Sequence, residues 1–213
     1  MGLVELRVSA PLIDLRTSVR RQVLMTNLAS IVIGFAMYAM SLITPQLLQL
    51  PTATGYGLGQ SMVQAGLWMA PAGLVMMAIS PLAARLSSVR GPKTSLLLGT
   101  IIIASGYLLA LVLMGHAWGV LVFSAVVSAG IGFAYAAMPS IIMSAVPRTE
   151  TAAANGLNSL MRSIGTSTAS AVLGAVLANM TIKMGPAVLP SEEGFRAGFI
   201  IGGVWPWWRR SSS

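Results

Sequence analysis

The chain has 213 residues, 55% of them hydrophobic and 8% charged, with a formal net charge of +8 and no cysteine. Soluble domains carry about 25% charged residues, so this composition excludes an ordinary soluble fold, and the missing thiols exclude disulfides and thiolate metal sites. One histidine and five acidic residues leave almost nothing for a metal or acid–base centre, and neither a metal nor a cofactor is expected.

Asp, Glu, Lys and Arg are absent from 22–84, from 94–147 and from 163–182. Each of the first two gaps is long enough for two crossings, because about 20 apolar residues span the roughly 30 Å hydrocarbon layer. In chain order, 1–21 reads as a cytosolic or interfacial linker carrying Arg7, Arg16, Arg20 and Arg21, with no cleavable signal pattern. Spans are predicted at 24–48, 61–84, 94–114, 118–146 and 157–180. They are joined by an uncharged loop at 51–60, a tight basic turn at 85–93, a very short connection at 115–117 and a polar turn at 148–155. A loop is predicted at 181–196. The next apolar stretch, 197–208, is about 18 Å long as helix, too short to cross, and it ends in a Trp-rich tail unlike the preceding Ala/Gly/Val style. A truncated or frameshifted sixth segment is expected there, with an interfacial Trp anchor as the alternative. The expected fold is an all-α polytopic transmembrane bundle of five full spans plus a truncated sixth. Its divisions are a linker (1–21), a five-span bundle (22–182), and an external loop with the stunted segment (183–213).

Basic residues favour alternate connections: four before the first span, three in 85–93, then Arg148 and Arg162, with none at 51–60 or 115–117, while the 181–196 loop carries Lys183 and Arg196. The positive-inside rule therefore predicts a multi-pass protein of the cell membrane with a cytoplasmic N-terminus. The same residues read as topology determinants and contacts for anionic lipid head groups, so the lipid bilayer, not nucleic acid, is the expected partner of the positive charge.

Within the spans a few side chains stand out. Asn155, Asn158 and Arg162 are spaced to share one helical face. Arg162 either faces a cavity, where it binds a carboxylate or stabilises one state, or snorkels to the interface. Tyr38, Gln64, Trp68 and Tyr135 are aromatic or polar-edged candidates for a substrate cavity, or else packing residues, with Gln60, Gln64 and Trp68 spaced by four. Pro71 (with Gly73) and Pro139 (with Gly130 and Gly132) are expected to break or kink their helices near mid-membrane. Ser163, Ser167, Ala171 and Ala175 recur every four residues, with Gly165 and Ala169 alongside, and predict a close helix–helix seam. His116 is expected in a solvated turn, and Gly55, Gly57 and Gly59 are expected to give flexibility to an uncharged loop. There is no His/Asp/Glu cluster, activated Ser or phosphate-cradling loop, so no catalytic residue is assigned and an enzyme is not expected.

Three stretches carry a resemblance: 11–16 (PLIDLR), 81–93 (PLAARLSSVRGPK) and 145–165 (AVPRTETAAANGLNSLMRSIG). They are similar to the approach to the second bundle, the cytoplasmic loop motif, and the turn before the penultimate helix in drug:proton antiporters of the major facilitator superfamily, the fourteen-helix EmrB/QacA-like branch. The resemblance implies the C-terminal half of such a fold, its cytoplasmic loop motif at Arg85, Ser88, Arg90, Gly91 and Lys93. Ser88 stands where the family has an acidic residue, which puts the usual latch between helix ends in doubt.

What this implies is a fragment of a secondary active transporter, a multidrug or small-molecule efflux permease that is proton-coupled when complete. Its partners would be hydrophobic or cationic small molecules, and the missing N-terminal bundle or another permease. Coupling needs a titratable group within the membrane, and no Asp or Glu lies inside a predicted span. The alternative is a non-transporting membrane module, either an inactive truncation product or an assembly partner of another permease.

Overall fold

A computed structural model describes residues 21–184 and 187–204. The linker reading for 1–20 and the Trp-rich tail beyond Val204 lie outside the described residues. Five long helices follow one another: α1 (Arg21–Gln49), α2 (Met62–Arg90), α3 (Pro92–Leu113), α4 (Ala117–Ala145) and α5 (Thr151–Asn179). A hairpin of β1 (Thr181–Met184) and β2 (Ala187–Pro190) comes next, and then α6 (Glu192–Val204). The first four helices, and α5 together with the 3-10 turn Arg148–Glu150 that leads into it, are each long and apolar enough to cross a membrane. The protein is an all-α multi-pass bundle with one small hairpin at one end.

The predicted spans lie within three residues of α1, α3 and α4 at either end, and the larger departures elsewhere have physical causes. The basic turn expected at 85–93 is mostly helix: α2 runs on through Arg85 to Arg90, and a single residue, Gly91, separates it from α3. Gly91 has φ of +86°, where an L side chain is strained, and Pro92 starts α3 at the position where a missing N–H costs nothing. Gly91→Ala is expected to lower stability by about 1 kcal/mol, measured as a shift in the SDS-unfolding midpoint of the purified protein. No shift would mean that this corner does not need the left-handed conformation.

Pro71 and Pro139 do not break their helices, and nor do Pro45 and Pro81; α1, α2 and α4 are continuous through all four. The loop between α1 and α2 is tied back to the end of α1 by backbone hydrogen bonds. Leu58, Gln60 and Gly59 donate backbone hydrogen bonds to Leu47, Leu48 and Leu50, satisfying carbonyls that the end of α1 would otherwise leave open. Tyr56 of this loop donates its hydroxyl to the Pro190 carbonyl and sets its ring 6.1 Å from that of Phe195. Burial, and then the Glu192 carboxylate, push the Tyr56 hydroxyl above its ordinary pKa, so it remains a donor.

The stretch expected as a loop at 181–196 contains the antiparallel hairpin, registered from Thr181 opposite Pro190 to Met184 opposite Ala187. Ser191 then accepts a hydrogen bond from the Gly194 N–H, which caps α6. Arg196 pairs with Glu192 one turn away at 2.8 Å on the exposed side. α6 exposes Glu193, Arg196 and Ile200 on one face and packs the other into the bundle. Phe195 and Phe199 are fully buried, and Phe199 sits 5.5 Å from Phe123 and 6.3 Å from Tyr107 between ring centres. With 13 residues, α6 is about 20 Å long.

Helix packing is pseudo-symmetric: α1 lies along α5 as α4 lies along α2, and α1 also meets α4 near the middle. This is the pattern of two three-helix repeats exchanging partners. Backbones approach closely at two crossings. A Cβ on Gly99 of α3 would stand 2.7 Å from the Gly130 carbonyl oxygen of α4, and the reverse holds for Gly130. At the α1–α5 crossing, a Cβ on Gly165 would meet the Ile31 backbone, 2.8 Å from its carbonyl carbon. Van der Waals contact between such backbones holds helices together in lipid, where no hydrophobic force acts between them. The seam on α5 is therefore Asn158, Gly165, Ala169, Leu173 and Leu177, all buried. The stripe predicted from Ser163, Ser167, Ala171 and Ala175 is exposed; spacing alone identifies a face but not what the face meets. Tyr107, fully buried, donates its hydroxyl to the Ala36 carbonyl of α1, so its polar atom is satisfied inside the bundle.

Candidate functional site

The helices place the basic connections, at Arg21, 85–93 and Arg148, at one end of the bundle and the uncharged loops with the hairpin at the other. In the half nearer the basic end, α4 and α5 enclose a cleft of about 180 Å³. Tyr135, Met138 and Pro139 line it from α4, and Asn155, Asn158, Ser159 and Arg162 from α5.

The cleft follows from local rules. Side chains on a helix tilt toward its N-terminus, so Arg162 leans back one turn and donates from Nη2 to Ser159 Oγ at 3.0 Å. Its guanidinium carbon lies 5.2 Å from the centre of the Tyr135 ring, a cation–π contact across the two helices. Tyr135 in turn directs its hydroxyl at Met37 Sδ of α1, 3.1 Å away. Arg162 comes close to α1 because Gly34 lies opposite: a Cβ there would stand 3.0 Å from Arg162 Cγ. Asn155 folds back onto the Thr151 carbonyl at 3.0 Å.

Beneath the cleft is a buried polar knot. Asn158 Nδ2 donates to Ser30 Oγ at 2.6 Å and to Asn27 Oδ1 at 3.1 Å, and reaches the Thr26 carbonyl at 3.5 Å. Ser30 Oγ is 3.1 Å from the Thr26 carbonyl and 3.2 Å from Met138 Sδ. The knot ties α5 to α1 and touches the floor of the cleft through Met138. Polar side chains inside a bundle pair with one another because lipid offers no alternative partner.

Of the residues singled out in the sequence, Tyr135, Asn158, Arg162 and Pro139 converge here, with Asn155 beside them. The others do not. Gln64 is exposed and completes the N-terminal capping box of α2: Ser61 N–H donates to Gln64 Oε1 at 2.9 Å and Gln64 N–H to Ser61 Oγ at 3.3 Å. Trp68 donates its indole N–H to Gln60 Oε1 at 3.1 Å and clamps the loop to the bundle. Both belong to the hairpin end, far from the cleft along α2. Tyr38 hydrogen-bonds Ser170 Oγ at 3.1 Å, a second α1–α5 tie. Pro71 is half-buried on α2, outside the cleft lining. Arg85 and Arg90 are exposed near the end of α2, Lys93 is exposed in the first turn of α3, and Gly91 makes the corner between the helices. Ser88 donates back to the Arg85 carbonyl of its own helix at 2.8 Å rather than reaching a neighbouring helix. His116 is exposed, its ring 5.8 Å from that of Trp118.

Sequence reading missed Asn27, Ser30, Met138 and Ser159. The signal for the first two was present: Asn27 is the one Asn within the uncharged stretch 22–84, and a polar amide in a span asks for a partner.

Five helices long and apolar enough to cross a membrane, packed as two exchanged three-helix sets, fit an architecture that secondary transporters use. The chain matches the Major Facilitator Superfamily over residues 5–170 and belongs to that family. It is 33% identical over 178 residues to "Multidrug resistance protein Stp" of Mycobacterium tuberculosis, a match covering 82% of this chain and 32% of the relative. It is also 33% identical over 100 residues to "Multidrug resistance protein B homolog" of the same organism, covering 47% of this chain and 17% of that protein. The matched regions thus span about a third and about a sixth of these curated relatives.

Proposed function

We propose that this chain is one helical bundle, the C-terminal half, of a drug-efflux permease of the fourteen-helix branch. It would lie in the cell membrane with its N-terminus and basic connections facing the cytoplasm. It works with a complementary bundle, either the N-terminal bundle of its own permease or that of another. The observation that carries the reading is the match across 82% of the chain to a protein named for multidrug resistance. The cleft between α4 and α5, lined by Tyr135 and Arg162, is consistent with that reading. In such transporters substrates bind between two bundles near the midplane, and access alternates by rocking one bundle against the other.

Export would be driven by protons, with the coupling carboxylate supplied by the complementary bundle. Support comes from the sequence: no Asp or Glu occurs between 22 and 149 or between 151 and 191, so α1 to α5 contain no group of that kind. The substrates are hydrophobic small molecules. The formal charge lining the cleft is a guanidinium, so cationic compounds would have to bind on parts of the cavity outside it.

The test is dye export from proteoliposomes under an imposed proton gradient, with this chain alone and with a complementary N-terminal bundle. Export is expected only from the pair. If the pair shows none while the chain inserts and folds, the non-transporting membrane module is the correct account.

A further inference from the structure

Arg162 sits eleven residues into α5, about 16 Å along the helix from Thr151, within a segment long and apolar enough to cross a membrane. A charge in such a position costs about 2.5–3.5 kcal/mol by insertion scales when it lies at the centre, and it is normally compensated by an opposite charge. Among the described residues no carboxylate lies within ion-pair distance of Arg162; its partners are the Ser159 hydroxyl and the face of Tyr135. A guanidinium has five N–H donors in a planar fork, and one of them is used by Ser159. The cleft beside it holds about 180 Å³, smaller than the roughly 300–1,000 Å³ of a drug-sized pocket, and so suited to one ring or the end of a larger ligand. Its remaining walls are the Tyr135 ring, the Met138 thioether and Pro139 on one side and the amides of Asn155 and Asn158 on the other.

We infer that this cleft is a subsite for a carboxylate borne on an aromatic ring. The carboxylate takes the free edge of the Arg162 fork, where two parallel N–H···O bonds can form. The ring lies along Tyr135 and Met138, where aromatic and sulfur contacts favour it. Cations of the same shape are repelled by Arg162 across a medium that screens poorly, and neutral amides lack the charge-assisted bonds. The inference deepens the efflux reading by naming the chemical class its substrates carry at this point, and for its biological meaning it rests on that reading. The two fail separately, because binding is measured on this chain without transport and dye export without a carboxylate.

The probe is 4-(trifluoromethyl)benzoate, followed by fluorine NMR line broadening with the whole chain in neutral maltoside micelles. The benzoate is expected to broaden with saturation, while 4-(trifluoromethyl)benzamide and 4-(trifluoromethyl)benzylammonium broaden only as they do in empty micelles. Arg162→Gln is expected to weaken benzoate binding by about tenfold or more, as loss of a charge-assisted pair implies. Arg162→Lys, which keeps the charge without the fork, should fall between. Equal broadening by benzoate and benzylammonium, or unchanged benzoate binding in Arg162→Gln with native circular dichroism, overturns the assignment. So does complete displacement of the benzoate by an equimolar amount of phosphatidylglycerol, which would make the cleft a lipid head-group site. The comparison among the three probes on the wild-type chain stands even if a variant fails to fold.

Discussion

Gly165→Val is expected to destabilise the folded bundle strongly, whereas Gly174→Val, nine residues further along the same helix, is expected to leave it near wild-type stability. Both positions are helical glycines on α5, so helix propensity changes alike in the two variants. They differ in what a side chain would meet. At Gly165 a Cβ runs into the backbone of Ile31, which cannot move without shifting α1; at Gly174 nothing lies within 4 Å. Overpacking a fitted interface costs about 1–3 kcal/mol, and a clash against backbone belongs at the upper end. The penalty falls at the α1–α5 crossing, which also carries the Asn158 knot and positions Gly34 against Arg162. Size-exclusion profiles in detergent and SDS-unfolding midpoints read the difference. Similar monodisperse peaks for the two variants would show that α1 and α5 do not cross as described.

Phe199→Ala is the second large effect. Phe199 is fully buried between Tyr107 and Phe123, and Gly202 and Gly203 press against Tyr107 on the same helix. Removing a buried aromatic ring costs about 3–5 kcal/mol, because the cavity it leaves collapses only in part. The loss should be felt in α3 and α4 as well as α6, and it should appear as a single lowered unfolding midpoint. Cooperative loss would show that α6, though short, is part of the core. A near-normal midpoint, with protease cutting only around 185–200, would show it to be an appendage.

The membrane class and the positions of the five spans were legible because charge cannot be buried in hydrocarbon, and the uncharged gaps mark where the chain enters it. Helix ends were less legible for the same reason. Hydropathy marks where the bilayer ends, and α2 continues through exposed Arg85 and Arg90 as helix beyond that point. The hairpin after α5 was missed because two four-residue strands carry too little alternation to stand out from a loop.

In the cleft, the shared face of Asn155, Asn158 and Arg162 followed from spacing on one helix. Its meeting with Tyr135 and Pro139 did not, because that depends on how α4 packs against α5. Gln64 drew attention as a polar residue in a span, yet three positions after Ser61 it also fitted a capping box, and that local bond took it. The small-residue seam was legible only in part: Gly165 and Ala169 are buried in it, while Ser163, Ser167, Ala171 and Ala175 stay exposed on this chain, because α5 has small residues on more than one face and only the tertiary fold decides which of them meets α1.

On the proposed function, this bundle transports only together with a complementary one that supplies the proton-coupling carboxylate. The most direct measurement is proton-gradient-driven dye efflux from proteoliposomes containing this chain alone, beside liposomes in which the complementary bundle is also present. No gradient-dependent efflux is expected from the chain alone, and efflux is expected from the pair. Efflux at the full rate from the chain alone would contradict this reading.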